Sequence, residues 1–201
     1  MKQIKLNVTG ETITFTKTGA DTNGAFLEMV CFLPAGKKSA PPKHIHPFQN
    51  EYFEALEGQL GIFIGHKRKI LLPGQSDEVP PNTKHGWYAA GNTDIKFKTV
   101  FKPALNIEWL LTETFASMNR ANSTRPSIFD ASYILTQMKG QFYLAAIPIS
   151  VQKIIFPILS KIGKFFGLVK YVNSKTDLSV HELGTFLIII LTCYYSQVFE
   201  N

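Results

Sequence analysis

Glycine and proline interrupt the first 104 residues so often that no long element fits between them. They stand at Gly19, Gly24, Pro34, Gly36, Pro41-Pro42, Gly58, Gly65, Pro73-Gly74, Pro80-Pro81 and Gly91. Between them the chain alternates apolar and polar residues, the period of a strand with one buried face. Ile4, Leu6 and Val8 alternate, as do Ile13 and Phe15. Ile95, Phe97, Thr99 and Phe101 alternate with Lys96, Lys98 and Lys102, and Phe26 to Phe32 is apolar except for Glu28. Many short strands at this spacing predict an antiparallel barrel or sandwich. Met1 to Leu6 reads as a strand and not as a secretory leader, because it lacks an apolar run.

After residue 104 the period becomes helical. Asn106 is expected to cap a helix over Ile107–Met118, with Ile107, Leu110, Leu111 and Phe115 on one face. Ser127 with Asp130 resembles a capping box, and Gly140 would stop that helix. Residues 126–201 hold 10 charged residues in 76, against 26 in the preceding 125, which marks an appended segment. The chain is therefore divided into a β-domain at 1–104 and a C-terminal helical extension with an apolar tail at 105–201.

Two stretches of that extension are apolar enough to raise a membrane reading. Ile154 to Val169 forms a basic amphipathic helix. Ile154, Ile155, Ile158, Leu159, Ile162, Phe165, Phe166 and Val169 lie on one stripe, and Lys153, Ser160, Lys164 and Gly167 lie opposite. The stripe is expected to pack on the barrel or in a homodimer, with weak membrane-surface association as the second reading. Leu183 to Phe199 is 17 residues without a charge. At ~1.5 Å per residue it reaches ~25 Å, short of a ~30 Å hydrocarbon core, so a packed helix or strand is preferred over an anchor.

Net charge is +6, and no basic block exceeds Lys67-Arg68-Lys69. That pattern fits a solvated surface, and no nucleic-acid partner is expected. Cys31 and Cys193 are far apart in apolar surroundings and read as buried thiols in a reducing, cytoplasmic setting.

The stretch that carries chemistry runs from Gly36 to Gly58 and contains His44-Ile-His46 followed by Glu51. Residues i and i+2 of a strand share a face, so both imidazoles aim together. Glu51 can return on the next strand. Two imidazoles and a carboxylate facing one cavity suit a divalent metal. A second stretch, Gly74 to Trp87, brings the chain back through Pro80-Pro81-Asn82 to His85. Glu57, at even spacing from Glu51, could also face inward. His66 lies in a turn beside Lys67-Arg68-Lys69 and is expected in solvent; His181 receives no role.

These two stretches resemble the two motifs of the cupin superfamily. The first matches Gly-x5–7-His-x-His-x3,4-Glu-x6-Gly throughout. The second is similar to Gly-x5-Pro-x-Gly-x2-His-x3-Asn, with Gly74, Pro80 and His85 in register. Asn82 replaces a glycine, and Asn is the next best residue at positive φ. Asn92 stands three places late for the motif's closing Asn. The resemblance covers roughly residues 25–103, is closest to quercetin-dioxygenase-like single-domain bacterial proteins, and implies a double-stranded β-helix (jelly-roll) barrel. It also implies a metal site made by His44, His46, Glu51 and His85, holding one Fe, Mn, Ni or Zn.

Phe48, Tyr52, Phe53, Phe63, Trp87, Tyr88, Phe97 and Phe101 fall on the expected strands or rims, and the substrate pocket is expected from Phe48, Tyr52, Phe53, Phe63, Trp87, Phe97 and Phe101. An aromatic wall with no inward Arg favours a small flat or apolar organic molecule over a sugar phosphate. The leading expectation is a mononuclear non-haem dioxygenase, with Glu51 as both ligand and catalytic proton acceptor. A metal-dependent isomerase or lyase, and a non-catalytic ligand-binding or sensing module, are the other two readings, because one fold hosts many functions.

Overall fold

The computed structural model describes residues 1–37 and 39–170. In chain order its strands are β1 (Lys2–Lys5), β2 (Thr12–Lys17), β3 (Leu27–Leu33), β4 (His44–Ile45), β5 (Asn50–Glu57), β6 (Leu60–Ile64), β7 (Lys67–Leu71), β8 (Ser76–Val79), β9 (His85–Ala89) and β10 (Ile95–Lys102). Helices α1 (Ile107–Arg120) and α2 (Ile128–Gln137), strand β11 (Tyr143–Leu144) and helix α3 (Ile149–Phe165) follow. The protein is mainly β, as its punctuation implies, with a helical segment behind.

All pairings are antiparallel and form two sheets. One runs β1-β2-β3-β10-β5-β8 and the other β11-β4-β9-β6-β7. Alternation sets the inner face. Leu27, Met29, Cys31 and Leu33 are buried on β3, and Ile95, Phe97, Thr99 and Phe101 on β10. Leu60 and Ile62 of β6 and Leu71 of β7 are buried from the second sheet. Phe97 joins the sheets, its ring 6.2 Å from Phe53 and 4.9 Å from Trp87. Gly58 is fixed by its backbone. Its φ is +72°, and a Cβ there would stand 2.1 Å from the Asp94 carbonyl oxygen. Asn82 occupies φ 59°, so the turn before His85 survives without the family's glycine.

Helix α1 follows Asn106, whose side chain does not cap it but donates to Gln141 Oε1 at 3.1 Å. Helix α2 is capped by Ser127, whose hydroxyl accepts from the Asp130 N–H at 3.1 Å. Asp130 does not close the box. Its carboxylate turns to Ser117, Arg120 and the Lys170 N–H instead.

Helix α3 starts five residues before the expected Ile154, at Ile149, and takes Pro157 into its interior. Its packing departs from the expectation over most of the stripe. Ser160 and Gly163 are buried, as is Gln152 against Leu144 and Ile147, while Ile154, Ile155, Ile158, Ile162, Phe165 and Phe166 of the expected stripe are exposed; of that stripe only Val169 is buried and Leu159 partly so, and Lys153, Lys164 and Gly167 opposite are exposed. Gly163 is the physical reason. Phe129 of α2 lies where a Cβ would sit, 2.8 Å away, so only the small-residue face lets the helices approach. Among the described residues no helix is long and apolar enough to cross a membrane. The expectations for His181, Leu183–Phe199 and Cys193 lie outside the described residues.

Glu11 is buried beneath the Gly36–Pro42 loop and accepts a hydrogen bond from the Ser39 hydroxyl. Burial raises its pKa from 4.5 to about 6, although the Ser39 bond works against this. Between those two pH values the native state holds a proton that the unfolded chain has released, so stability falls as pH rises through this window. Above pH 6 the penalty is about 2 kcal/mol. Glu11→Gln is therefore expected to stabilise the protein by up to about 2 kcal/mol at neutral pH and by nothing at pH 4. Denaturant titrations at both pH values check this. Equal stability of the two proteins at neutral pH would contradict it.

Candidate metal centre

His44 and His85 enter the site on neighbouring strands, directly opposite each other in the β4–β9 register. His46 follows two residues after His44. Glu51 lies on β5 of the other sheet, so the cluster spans the space between the sheets. All four residues are buried, between 1% and 6% exposed. Each offers one ligand atom, and these atoms lie within 4.8 Å of one another.

Backbone carbonyls set the histidine tautomers. The Nδ1 of His44 lies 2.8 Å from the Pro42 carbonyl oxygen, and the Nδ1 of His85 lies 2.7 Å from that of Thr83. A carbonyl only accepts, so each Nδ1 carries the proton and each Nε2 is aimed at the cluster. The three Nε2 atoms converge on one oxygen. Glu51 Oε2 is 2.7 Å from His85, 3.6 Å from His46 and 4.0 Å from His44. Glu51 Oε1 accepts from the Thr99 hydroxyl at 3.3 Å, which orients the carboxylate.

The electrostatics follow from burial. Burial and the neighbouring His85 push the His44 pKa down to about 3. Burial, with His44 and His85 beside it, holds His46 well below the ordinary imidazole range. Burial would lower His85 also, but its hydrogen bond to Glu51 and that carboxylate's charge outweigh it and raise the pKa. A metal ion requires neutral imidazoles, which burial favours at His44 and His46, whereas at His85 the ion would have to displace the proton shared with Glu51. The His46 ring is buried beside Gln49 and the Gln141 backbone, yet neither of its nitrogens makes a hydrogen bond of ordinary geometry, and its Nε2 stands 3.6 Å from Glu51 Oε2. A buried nitrogen left this way is costly unless another ligand satisfies it. These residues fit a divalent cation.

The aromatic residues divide by strand parity. Phe53, Trp87, Phe97 and Phe101 face the interior, and Phe101 lies 5.4 Å from the His46 ring. Tyr52 does not. It is one residue from Glu51 and therefore on the outer face, where its hydroxyl meets Glu54 and Lys98 lies over its ring. Phe63 is also turned outward, packed on Tyr88 beneath Lys43 and Arg68. Phe48 lies beyond the end of β4, 42% exposed, on the wall of a separate cavity. Glu57 is exposed and pairs with Lys96, because β5 ends there beside an irregularity in the β5–β10 register. His66 is exposed in its turn.

Phe142 was not legible in the sequence. Its ring stacks on His44 at 4.9 Å with planes 18° apart and meets His46 edge-on at 5.3 Å. Strand β11 brings it there by pairing Tyr143 with Ile45 and Leu144 with His44. A two-residue strand has no periodicity to read.

Known proteins resemble part of this chain. The family model described as "Cupin domain" matches residues 29–101. A protein named an oxidoreductase from Arthrobotrys oligospora is 35% identical over 74 residues, covering 36% of this chain and 28% of its own length. The chain thus matches little more than a quarter of that relative. Among solved structures, a sugar phosphate isomerase from a cupin superfamily of Silicibacter pomeroyi aligns at 21% identity and TM-score 0.40, over 46% of this chain and 59% of that one. A protein of Thermotoga maritima described as a predicted oxalate decarboxylase aligns at 18% identity and TM-score 0.45, over 51% of this chain and 90% of that one. Both motif stretches, the four clustered side chains and the family match fall together, and the chain carries a cupin domain over residues 29–101.

Proposed function

We propose that the protein is a metal-dependent oxidoreductase of the small-molecule dioxygenase type, in which His44, His46, Glu51 and His85 hold one divalent ion. The convergence of three buried Nε2 atoms on one Glu51 oxygen carries this reading. The printed name of the Arthrobotrys oligospora relative supports the reaction class. Bound there, Fe, Mn or Ni supplies a Lewis acid and a redox-active centre, and Zn supplies a Lewis acid alone.

The chain's own residues do the rest. Pro42 and Thr83 keep two imidazoles in the ligating tautomer. Thr99 holds one oxygen of Glu51 and so orients the carboxylate, which would ligate the ion and take a proton from a substrate hydroxyl. Phe53, Trp87, Phe97 and Phe101 give the interior an apolar wall, which selects a small aromatic or apolar organic molecule.

Oxygen uptake tests this with protein loaded separately with Fe, Mn, Ni or Zn, against a panel of flavonols and catechols. Uptake is expected with a redox-active metal, and its loss in Glu51→Ala protein carrying the same metal load. No uptake with any loaded metal would contradict the oxygenase reading.

A further inference from the structure

A half-open cavity of about 550 Å³ lies where Pro47, Phe48 and Asn82 meet the helical segment. Its apolar wall includes Phe48, Phe142, Phe156 and Pro157. Lys139 and Lys153 line it and are themselves exposed. No Asp or Glu lines the cavity, and the sequence has none between Asp130 and Asp177. An apolar chamber with two cations and no anion complements an amphipathic organic anion.

Phe142 belongs to both compartments. It lines the cavity, and its ring also rests on His44 and His46. Its backbone is anchored. Next to it, β11 pairs with β4, the Ala145 N–H donates to the Lys43 carbonyl at 2.8 Å, and the Gln152 amide brackets Leu144 with bonds of 3.0 and 2.8 Å. The ring is only half-buried. Phe142 therefore touches the cavity on one side and two of the clustered histidines on the other.

We propose that this cavity is a binding chamber for an organic carboxylate with a flat apolar body, and that Phe142 is the partition between the chamber and the metal centre. The partition rests on the metal reading above; the chamber's affinity for an anion does not.

Calorimetric titration of the metal-loaded full-length protein with 2-naphthoate, and with neutral 2-naphthalenemethanol as control, tests the chamber. Naphthoate is expected to bind more tightly than the alcohol. Lys139→Glu with Lys153→Glu should weaken naphthoate about tenfold or more and leave the alcohol unchanged. Metal-free His85→Ala protein should still bind naphthoate. Absence of naphthoate binding, indifference to the two lysine changes, or loss of binding with the metal would each overturn the chamber.

For the partition, Phe142→Ala and the milder Phe142→Leu should speed metal removal by a chelator, the former about tenfold. Unchanged rates in both would overturn it. Metal content measured on every sample separates the two failures. A wild type that retains metal but ignores naphthoate sinks the chamber alone, whereas a wild type that binds naphthoate but never metal sinks the metal reading alone.

Discussion

Glu51→Ala lowers the affinity for a divalent ion by at least ~100-fold, since removal of an outer-shell partner alone costs 10–100-fold and Glu51 would be a ligand. The structure explains why no neighbour compensates. Glu51 is the only carboxylate in the described four-residue cluster, and its Oε2 is the atom that all three Nε2 atoms approach. Thr99→Val should act in the same direction but less, by about tenfold. It removes the hydroxyl that orients Oε1 and leaves the ligand in place. Competition with a chromophoric chelator reads both values. Affinity unchanged in Glu51→Ala would remove the carboxylate from the site.

Asp130→Ala should destabilise the protein by about 2 kcal/mol, because it leaves the buried Ser117 hydroxyl and the Lys170 N–H without their acceptor while the Arg120 head can turn to solvent. Asp130 is 3% exposed and joins three parts of the helical segment. Its Oδ2 accepts from Ser117 of α1 at 2.7 Å and from Arg120 at 3.0 Å, and its Oδ1 accepts from the Lys170 N–H at 3.0 Å, beyond α3. Burial pushes its carboxyl up, but the bonds from Lys170, Ser117 and Arg120 outweigh that and hold it below the usual range. Its stabilising contribution is thus present above the ordinary Asp pKa of ~3.9 and is lost as pH falls through the lower native value. Arg120→Ala should cost less, about 1 kcal/mol, because that side chain is one-third exposed. Denaturant titration measures both. A loss below about 1 kcal/mol in Asp130→Ala would show that the network contributes little.

The four-residue cluster was legible because its information is local. The His44-x-His46 spacing marked two imidazoles for one cluster, although β4 ends at Ile45 and His46 lies just past it, and the flanking Gly58 and Asn82 mark turns whose positive φ values the structure shows. The alternation of β3 and β10 gave the core for the same reason. Parity also held a warning about Tyr52, which sits one residue from Glu51 and so must face away from it. Aromatic residue type alone does not say which face is inside. Phe63 packs on Tyr88 in the outer face, a partner that β6 by itself does not reveal.

The helical segment was legible as helices but not as contacts. The Ile154–Val169 stripe correctly marks an amphipathic helix. Burial, however, went to Ser160 and Gly163, which allow close approach to α2. Phe142 depends on a strand pairing between residues about 100 positions apart, which no local pattern encodes.

His44 of β4, His46 just past it, His85 of β9 and Glu51 of the opposing β5 are expected to hold a single divalent ion. Elemental analysis of the purified full-length protein, before and after reconstitution at neutral pH, tests it most directly. The structure predicts about one Fe, Mn, Ni or Zn per chain in the wild type and a near-empty Glu51→Ala protein. A wild type that holds no stoichiometric metal even after reconstitution would contradict it.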